Sequence, residues 1–314
     1  MTNRQTLNSP GNSLWLHRFV LLTTGCTFLL IVAGALVTGN EAGLAVPDWP
    51  LSYGSLMPPM VGNIRYEHGH RMVATFVGLL TTVLAVWLWR RESRKRVRNL
   101  GFIALGTVVA QGVLGGLTVL LFLPTVISVS HACLAQTFFC IVVSLALVTS
   151  PGWHNSDATR APESQNAPLL RLSAVTTGAI YFQLILGAAL RHAKSGIVLH
   201  VLGAFIVTIL AFLVVTRVFR HYAKYPRLVR LASILSLLLL AQLSLGVGSY
   251  LVRLAARDDI QPALVMVTVT TAHVAVGALV LATSLVLAIQ SHRVLSSSFL
   301  NIVPCSSAPQ KVAS

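Results

Sequence analysis

The chain has 314 residues, of which 55% are hydrophobic and only 10% are Asp, Glu, Lys or Arg, yet its formal net charge is +15. So apolar a composition excludes an ordinary soluble domain, which needs far more polar surface. The positive charge is gathered in a few connections between apolar runs, which argues against nucleic-acid binding and for a topology signal.

Eight apolar runs of about 20 residues follow one another, each long enough to cross a bilayer. They fall at roughly 17–38, 67–90, 98–122, 126–149, 169–190, 196–219, 227–251 and 264–290. The first run is too long and poorly flanked for a signal peptide, and it carries the small-residue repeat described below. Its copy of that repeat is degenerate, Ala33-Gly34-Ala35, with Leu30 where the others have Gln. The connection at 39–66 includes Pro47-Asp48-Trp49-Pro50-Leu51-Ser52-Tyr53-Gly54. Its prolines and aromatic residues predict an ordered segment, serving either as an interfacial anchor or as a cover over a site below it.

The second span opens on Arg65-Tyr66-Glu67-His68-Gly69-His70-Arg71. Positions three apart share a helix face, so Glu67 is expected beside His70. It serves either as a helix-terminal carboxylate or as a proton-handling acid. After this span come Arg90, Arg91, Arg94, Lys95, Arg96 and Arg98, and after the sixth come Arg217, Arg220, Lys224, Arg227 and Arg230. This asymmetry of Lys and Arg predicts cytoplasmic termini in a bacterial-type inner membrane, with anionic lipid headgroups at these loops.

The third span carries Gln111, Leu114, Gly115 and Gly116; the fifth Gln183, Leu186, Gly187 and Ala188; the seventh Gln242, Leu245, Gly246 and Gly248. Small residues allow close helix packing, and they also let backbone approach a flat macrocycle. The even-numbered spans carry His70, His131, His200 and His273 at nearly equal intervals, all toward the outer leaflet. Ionisable groups within membrane helices are costly and usually functional. Two pairs of imidazoles in helical bundles suit axial ligation of heme iron. A zinc site normally wants three or four ligands with Cys or carboxylate among them, and no C-x-x-C-H marks a covalent heme. His17, His154, His221 and His292 fall at the cytoplasmic side, and His68 and His192 on the outer side but outside the repeat.

The sequence therefore predicts an all-α polytopic membrane protein with eight transmembrane helices in two pseudo-symmetric four-helix bundles. Residues 1–150 form the first bundle with His70 and His131, and 165–295 the second with His200 and His273. Residues 1–13 and 296–314 are candidates for disorder, the latter as a cytoplasmic tail. Only the first half has an acid beside its histidine; the matching position in the second is Ile197. One half thus reads as a reaction site and the other as an electron-transfer or structural site. A diheme membrane electron carrier linked to quinol fits the four histidines as well, and a repeat-built transporter with histidine proton relays is a third reading.

Over about residues 17–290 the chain resembles the heme A synthase family, on its eight spans, the Pro-Asp-Trp-Pro-Leu loop, the Glu-x-x-His-Arg start of span two and single histidines in spans four, six and eight. The resemblance implies oxidation of a heme O methyl group to the formyl group of heme A for cytochrome oxidase, by successive hydroxylations to a hydrated aldehyde. It implies that His70 and His131 hold the substrate heme O or product heme A, that His200 and His273 hold a heme b cofactor, and that Glu67 is the essential acid. It also implies pathway partners in the heme O-forming farnesyltransferase and the oxidase. Arg65, Arg71, Arg191 and Arg253 are candidates to hold heme propionates. Many members have a cysteine pair flanking the Pro-Asp-Trp-Pro segment, where this chain has Val46 and Ser52. The chain thus resembles the cysteine-lacking branch, and Cys26, Cys133 and Cys140 read as apolar packing thiols.

Overall fold

The computed structural model describes residues 10–153, 166–193, 195–255 and 263–296. Of the proposed tail at 296–314 only Ser296, the last residue of a helix, is described; residues 297–314, the N-terminal residues before Pro10, and His154 and Cys305 lie outside them. Eight helices cover nearly all the rest: α1 (Pro10–Gly39), α2 (Ile64–Arg91), α3 (Lys95–Leu120), α4 (Thr125–Thr149), α5 (Asn166–Ala193), α6 (Ile197–His221), α7 (Pro226–Ala255) and α8 (Leu264–Ser296). All eight are long and apolar enough to cross a membrane, and among the described residues there is no strand. This is a multi-pass, all-helical membrane protein.

In a hydrocarbon environment every backbone amide must be bonded within its own segment, which is why apolar runs of this length become helices. Hydroxyl side chains obey the same rule. Thr23, Thr27 and Thr81 return their hydroxyls to carbonyls four residues earlier, at 2.7–2.9 Å. Several helices outrun the apolar segments that predict them: α1 begins at Pro10 rather than near 17, and α8 ends at Ser296 rather than near 290. Hydropathy marks only the part inside the hydrocarbon, whereas amide bonding carries a helix on through the headgroups.

Helices α1 to α4 pack around one ring of neighbours, and α5 to α8 around another. Within the first, Val77, Leu84 and Leu88 of α2 meet Phe138, Phe139 and Leu145 of α4 in one apolar cluster. Within the second, Ile180, Val207, Leu235 and Leu281 form another. The two rings touch along a seam built by α1, α4, α5 and α8. One polar pair crosses it, the hydroxyls of Thr137 and Tyr181, 2.8 Å apart; those of Thr177 and Ser284, 2.7 Å apart, join α5 to α8 within the second ring. Cys26, Cys133 and Cys140 are half-buried free thiols, in keeping with packing roles.

Candidate functional site

All four histidines stand near the helix ends that adjoin the 40–63 connection, and each rests on a glycine of the preceding helix. A Cβ added to Gly34 would lie 3.1 Å from His70 Cε1, and one on Gly115 3.1 Å from His131 Cε1. The same contact is 3.0 Å for Gly187 and His200, and 3.2 Å for Gly246 and His273. The small-residue repeat of the odd helices is therefore the seat of the histidine repeat on the even ones. Any larger residue there would push the ring away from its position.

The glutamines add a second constraint in three of the four seats. Each lies four residues before its glycine, so both face the same histidine. Gln111 Nε2 donates to the His131 carbonyl at 3.0 Å and lies 3.3 Å from the ring Nε2. Gln183 Nε2 donates to the His200 carbonyl at 2.7 Å and lies 3.1 Å from Nδ1. Gln242 Nε2 lies 3.4 Å from His273 Nε2. In α1 Leu30 takes that place, so His70 has the glycine but no amide. The four-residue step between Gln and Gly was visible in the sequence, though its target was not.

His70 and His131 belong to the first ring and are near enough to interact electrostatically. His200 and His273 belong to the second. Their ring centroids are 6.5 Å apart, with the planes at 76°. The Nδ1 atoms of His70, His131 and His273 are buried without a hydrogen-bond partner. Among the described residues no three His, Cys, Asp or Glu side chains come together as a compact ligand set.

Glu67 is 4% exposed, and both of its oxygens are engaged. Oε2 accepts the backbone N–H of Val46 at 2.7 Å, and Oε1 accepts Arg71 Nη2 at 2.6 Å. It lies in the first turn of α2, as a helix-terminal carboxylate would, and it also anchors the loop and its own arginine. Arg71 is likewise committed. Its Nη1 donates to the carbonyls of Asp48 and Leu51 at 2.7 and 2.8 Å and reaches Ser52 Oγ at 3.4 Å; its Nη2 also reaches the Val46 carbonyl at 3.2 Å. One guanidinium thus gathers four loop residues, which removes Arg71 from the free propionate candidates. His68, buried beside it, shares a 2.8 Å hydrogen bond through Nδ1 with Ser52 Oγ.

The loop is held at its other end by Asp48, whose role the sequence did not disclose. Asp48 accepts the N–H groups of Tyr53 at 2.7 Å and Gly54 at 2.8 Å. These two bonds, Gly54 first, hold the Asp48 carboxyl below its usual range. They also stabilise a turn in which Tyr53 and Gly54 have φ of 53° and 67°. The Tyr53 hydroxyl closes the loop by donating to the Ala45 carbonyl at 2.7 Å. Next to Asp48, the Trp49 ring lies against Gly116; a Cβ there would fall 2.6 Å from Trp49 Cδ2. Gly116 adjoins Gly115, the seat of His131. The loop is a cover over the first histidine pair.

These features define a class: a polytopic membrane protein with paired intramembrane histidines, one pair roofed by an acid-anchored loop. Residues 62–200 match the family of cytochrome oxidase assembly proteins COX15-CtaA. The chain is similar to heme A synthases of Halalkalibacterium halodurans, 30% identical over 56% of this chain and 59% of the relative, and of Lysinibacillus sphaericus, 30% identical over 59% and 60%. A heme A synthase of Symbiobacterium thermophilum is 31% identical over 55% of this chain and 58% of the relative. Over these stretches the chain is similar to heme A synthases and to that family of cytochrome oxidase assembly proteins. The matched stretches span about three fifths of the length of these relatives.

Proposed function

We propose that this protein is a heme A synthase: it oxidises a methyl group of heme O to a formyl group, for the assembly of cytochrome oxidase. The carrying observation is the asymmetric use of one repeated frame. Four histidines sit on four equivalent glycines, yet among the described residues only His70 has a buried acid beside it and a loop above it.

The residues present fit heme. His200 and His273, with ring centroids 6.5 Å apart on facing helices, would hold the iron of one heme between them. Two imidazoles without a third ligand suit an iron whose other four positions are filled by a porphyrin. On this reading His200 and His273 hold a heme b cofactor, and His70 and His131 hold the substrate. The bound heme supplies the redox chemistry that side chains cannot. Glu67 exchanges protons beside the substrate, Arg71 holds that carboxylate in place, and the Trp49 loop excludes water from the pocket. The 1–150 and 165–295 bundles are then a substrate half and an electron-supplying half. The basic loops orient both termini toward the cytoplasm in the cell membrane. The heme O-forming farnesyltransferase supplies the substrate, and the oxidase receives the product.

The test is heme extraction from membranes that express the chain together with the farnesyltransferase. A formyl heme that depends on this chain is the expected result. Unchanged heme O alongside resident heme b would instead make the protein a diheme electron carrier.

A further inference from the structure

Arg191 is a cation in an unusual place. It stands on α5 four residues beyond Gly187, the seat of His200, and so on the same face one turn nearer the roofed end. Its Nη2 donates 2.8 Å across the seam to the carbonyl of Ala35, next to the glycine that seats His70. Its Nε is buried without a partner. The Thr271 hydroxyl is also buried without a partner, and it approaches the same point: a Cβ on Gly39 would lie 3.6 Å from Arg191 Nη2 and 3.7 Å from Thr271 Oγ1. The charge of Arg191 is felt at His273, and Arg253 adds a second positive charge nearby. Among the described residues the ion pairs are Arg71–Glu67 and Arg94–Glu92, and neither involves Arg191.

A partly buried guanidinium whose Nε is buried and unused calls for an acceptor, and its charge calls for an anion. We propose that Arg191 binds a propionate carboxylate of the heme held by His200 and His273, at the outer end of the seam between the two halves. Its planar fork can take a carboxylate while Nη2 keeps the Ala35 carbonyl. The position is then doubly specified: one side chain fixes the rotation of the second-half heme about its iron–imidazole axis and ties that heme to the helix that seats His70. Arg71 is unavailable for such a role because the loop occupies it.

The inference rests on the heme reading above, and its test separates the two. The full-length protein is reconstituted with protoheme or with protoheme dimethyl ester, whose carboxylates are blocked. Loss of the low-spin component to excess apomyoglobin is then timed. That component is identified as the one missing from His273→Ala. Wild-type protein should release the ester about tenfold faster than protoheme, the scale of one lost charge-assisted hydrogen bond. Arg191→Gln should release both at the faster rate, because its partner is gone in either case. Arg191→Lys should fall between, and Arg253→Gln should keep the wild-type difference. Removing the positive charge should also lower the reduction potential of the same component, a shift that mere loosening of the seam would not produce. An ester penalty of equal size in wild type and Arg191→Gln overturns the anchor. If Arg191→Gln does not accumulate, the wild type decides alone, since absence of an ester penalty also overturns it. A His273→Ala protein that keeps the whole low-spin component overturns the heme assignment itself, and the anchor with it.

Discussion

The two halves share a frame and differ in the connection between their first two helices. In both, a histidine on an even helix rests on a glycine of the helix before it. Three residues before the histidines stand Glu67, Ser128, Ile197 and Thr270, so the same helical position is an acid only once. The α1–α2 connection, residues 40–63, is folded over the first pair by Arg71 and Glu67; the α5–α6 connection reaches Ile197 from Ala193 in a few residues, with Gly196 at φ 89°. Repetition of the seat shows what holding a ring between helices requires. Its elaboration on one side falls in the half proposed as the reaction site. The matched family stretch, 62–200, includes Glu67, His70, His131 and His200 but ends before His273. The second seat on α8 is thus argued from geometry: the 6.5 Å spacing to His200 and the 3.2 Å approach to Gly246.

The comparison breaks most severely at the ligands. His200→Ala or His273→Ala is expected to abolish the low-spin heme b spectrum of the purified protein, because each removes one of two axial donors. His17→Ala should leave it unchanged, since His17 faces Thr149 at the other end of the bundle, 3.3 Å away. An intact bis-imidazole spectrum in His273→Ala would break the assignment of the second half.

Glu67→Gln tests the asymmetry itself. The amide keeps the size but only one of the two accepted hydrogen bonds, and it loses charge and proton exchange. On the proposed reading, the ratio of heme A to heme O in membranes should fall about a hundredfold or more, the scale of general acid–base catalysis. The second-half heme should stay in place. An unchanged ratio would reduce Glu67 to an anchor for Val46 and Arg71.

Much of this frame was legible in the sequence, because it depends on period and hydropathy. Eight spans, four histidines and the small-residue repeat are local patterns, and a helix turns each into a face. The acid at Glu67 was legible for the same reason. The loop was not, because its bonds join residues that no period relates: Arg71 with carbonyls at Val46, Asp48 and Leu51, and Trp49 with Gly116 on another helix. Arg191 was visible only as one outer-face cation among several. Its distinction is a buried, unpartnered Nε at the seam, and that depends on how α1, α5 and α8 meet.

A smaller effect is expected from Gly116→Ala. The added methyl would overlap the Trp49 ring at 2.6 Å from Cδ2 and 2.8 Å from Cε2, so the indole must leave. The ligands and Glu67 stay, but the cover no longer fits. Activity should drop about ten- to a hundredfold, as expected for a misplaced but chemically complete site. The second-half spectrum should be untouched. Equal loss of both would mean that α3 as a whole has shifted, and the comparison of Gly116→Ala with Trp49→Ala separates these outcomes.

The smallest effect belongs to Asp48→Asn. The carboxylate accepts from both Tyr53 and Gly54, and an amide can keep only one of those bonds. Because the group is at the surface, the loop should open only about twofold more often, read as faster proteolysis or amide exchange around 48–57. The pH dependence carries the sharper information. Asp48 titrates below its ordinary value when the loop is closed, so closing favours the ionised form. Its contribution is fully present above the open-loop pKa of about 3.9 and fades as pH falls through the lower closed-loop value. Between pH 5 and 8 the wild type should therefore hold a constant advantage over Asp48→Asn. Below about pH 4 the two should converge. A gap that instead closed near neutrality would show that Asp48 is not the latch.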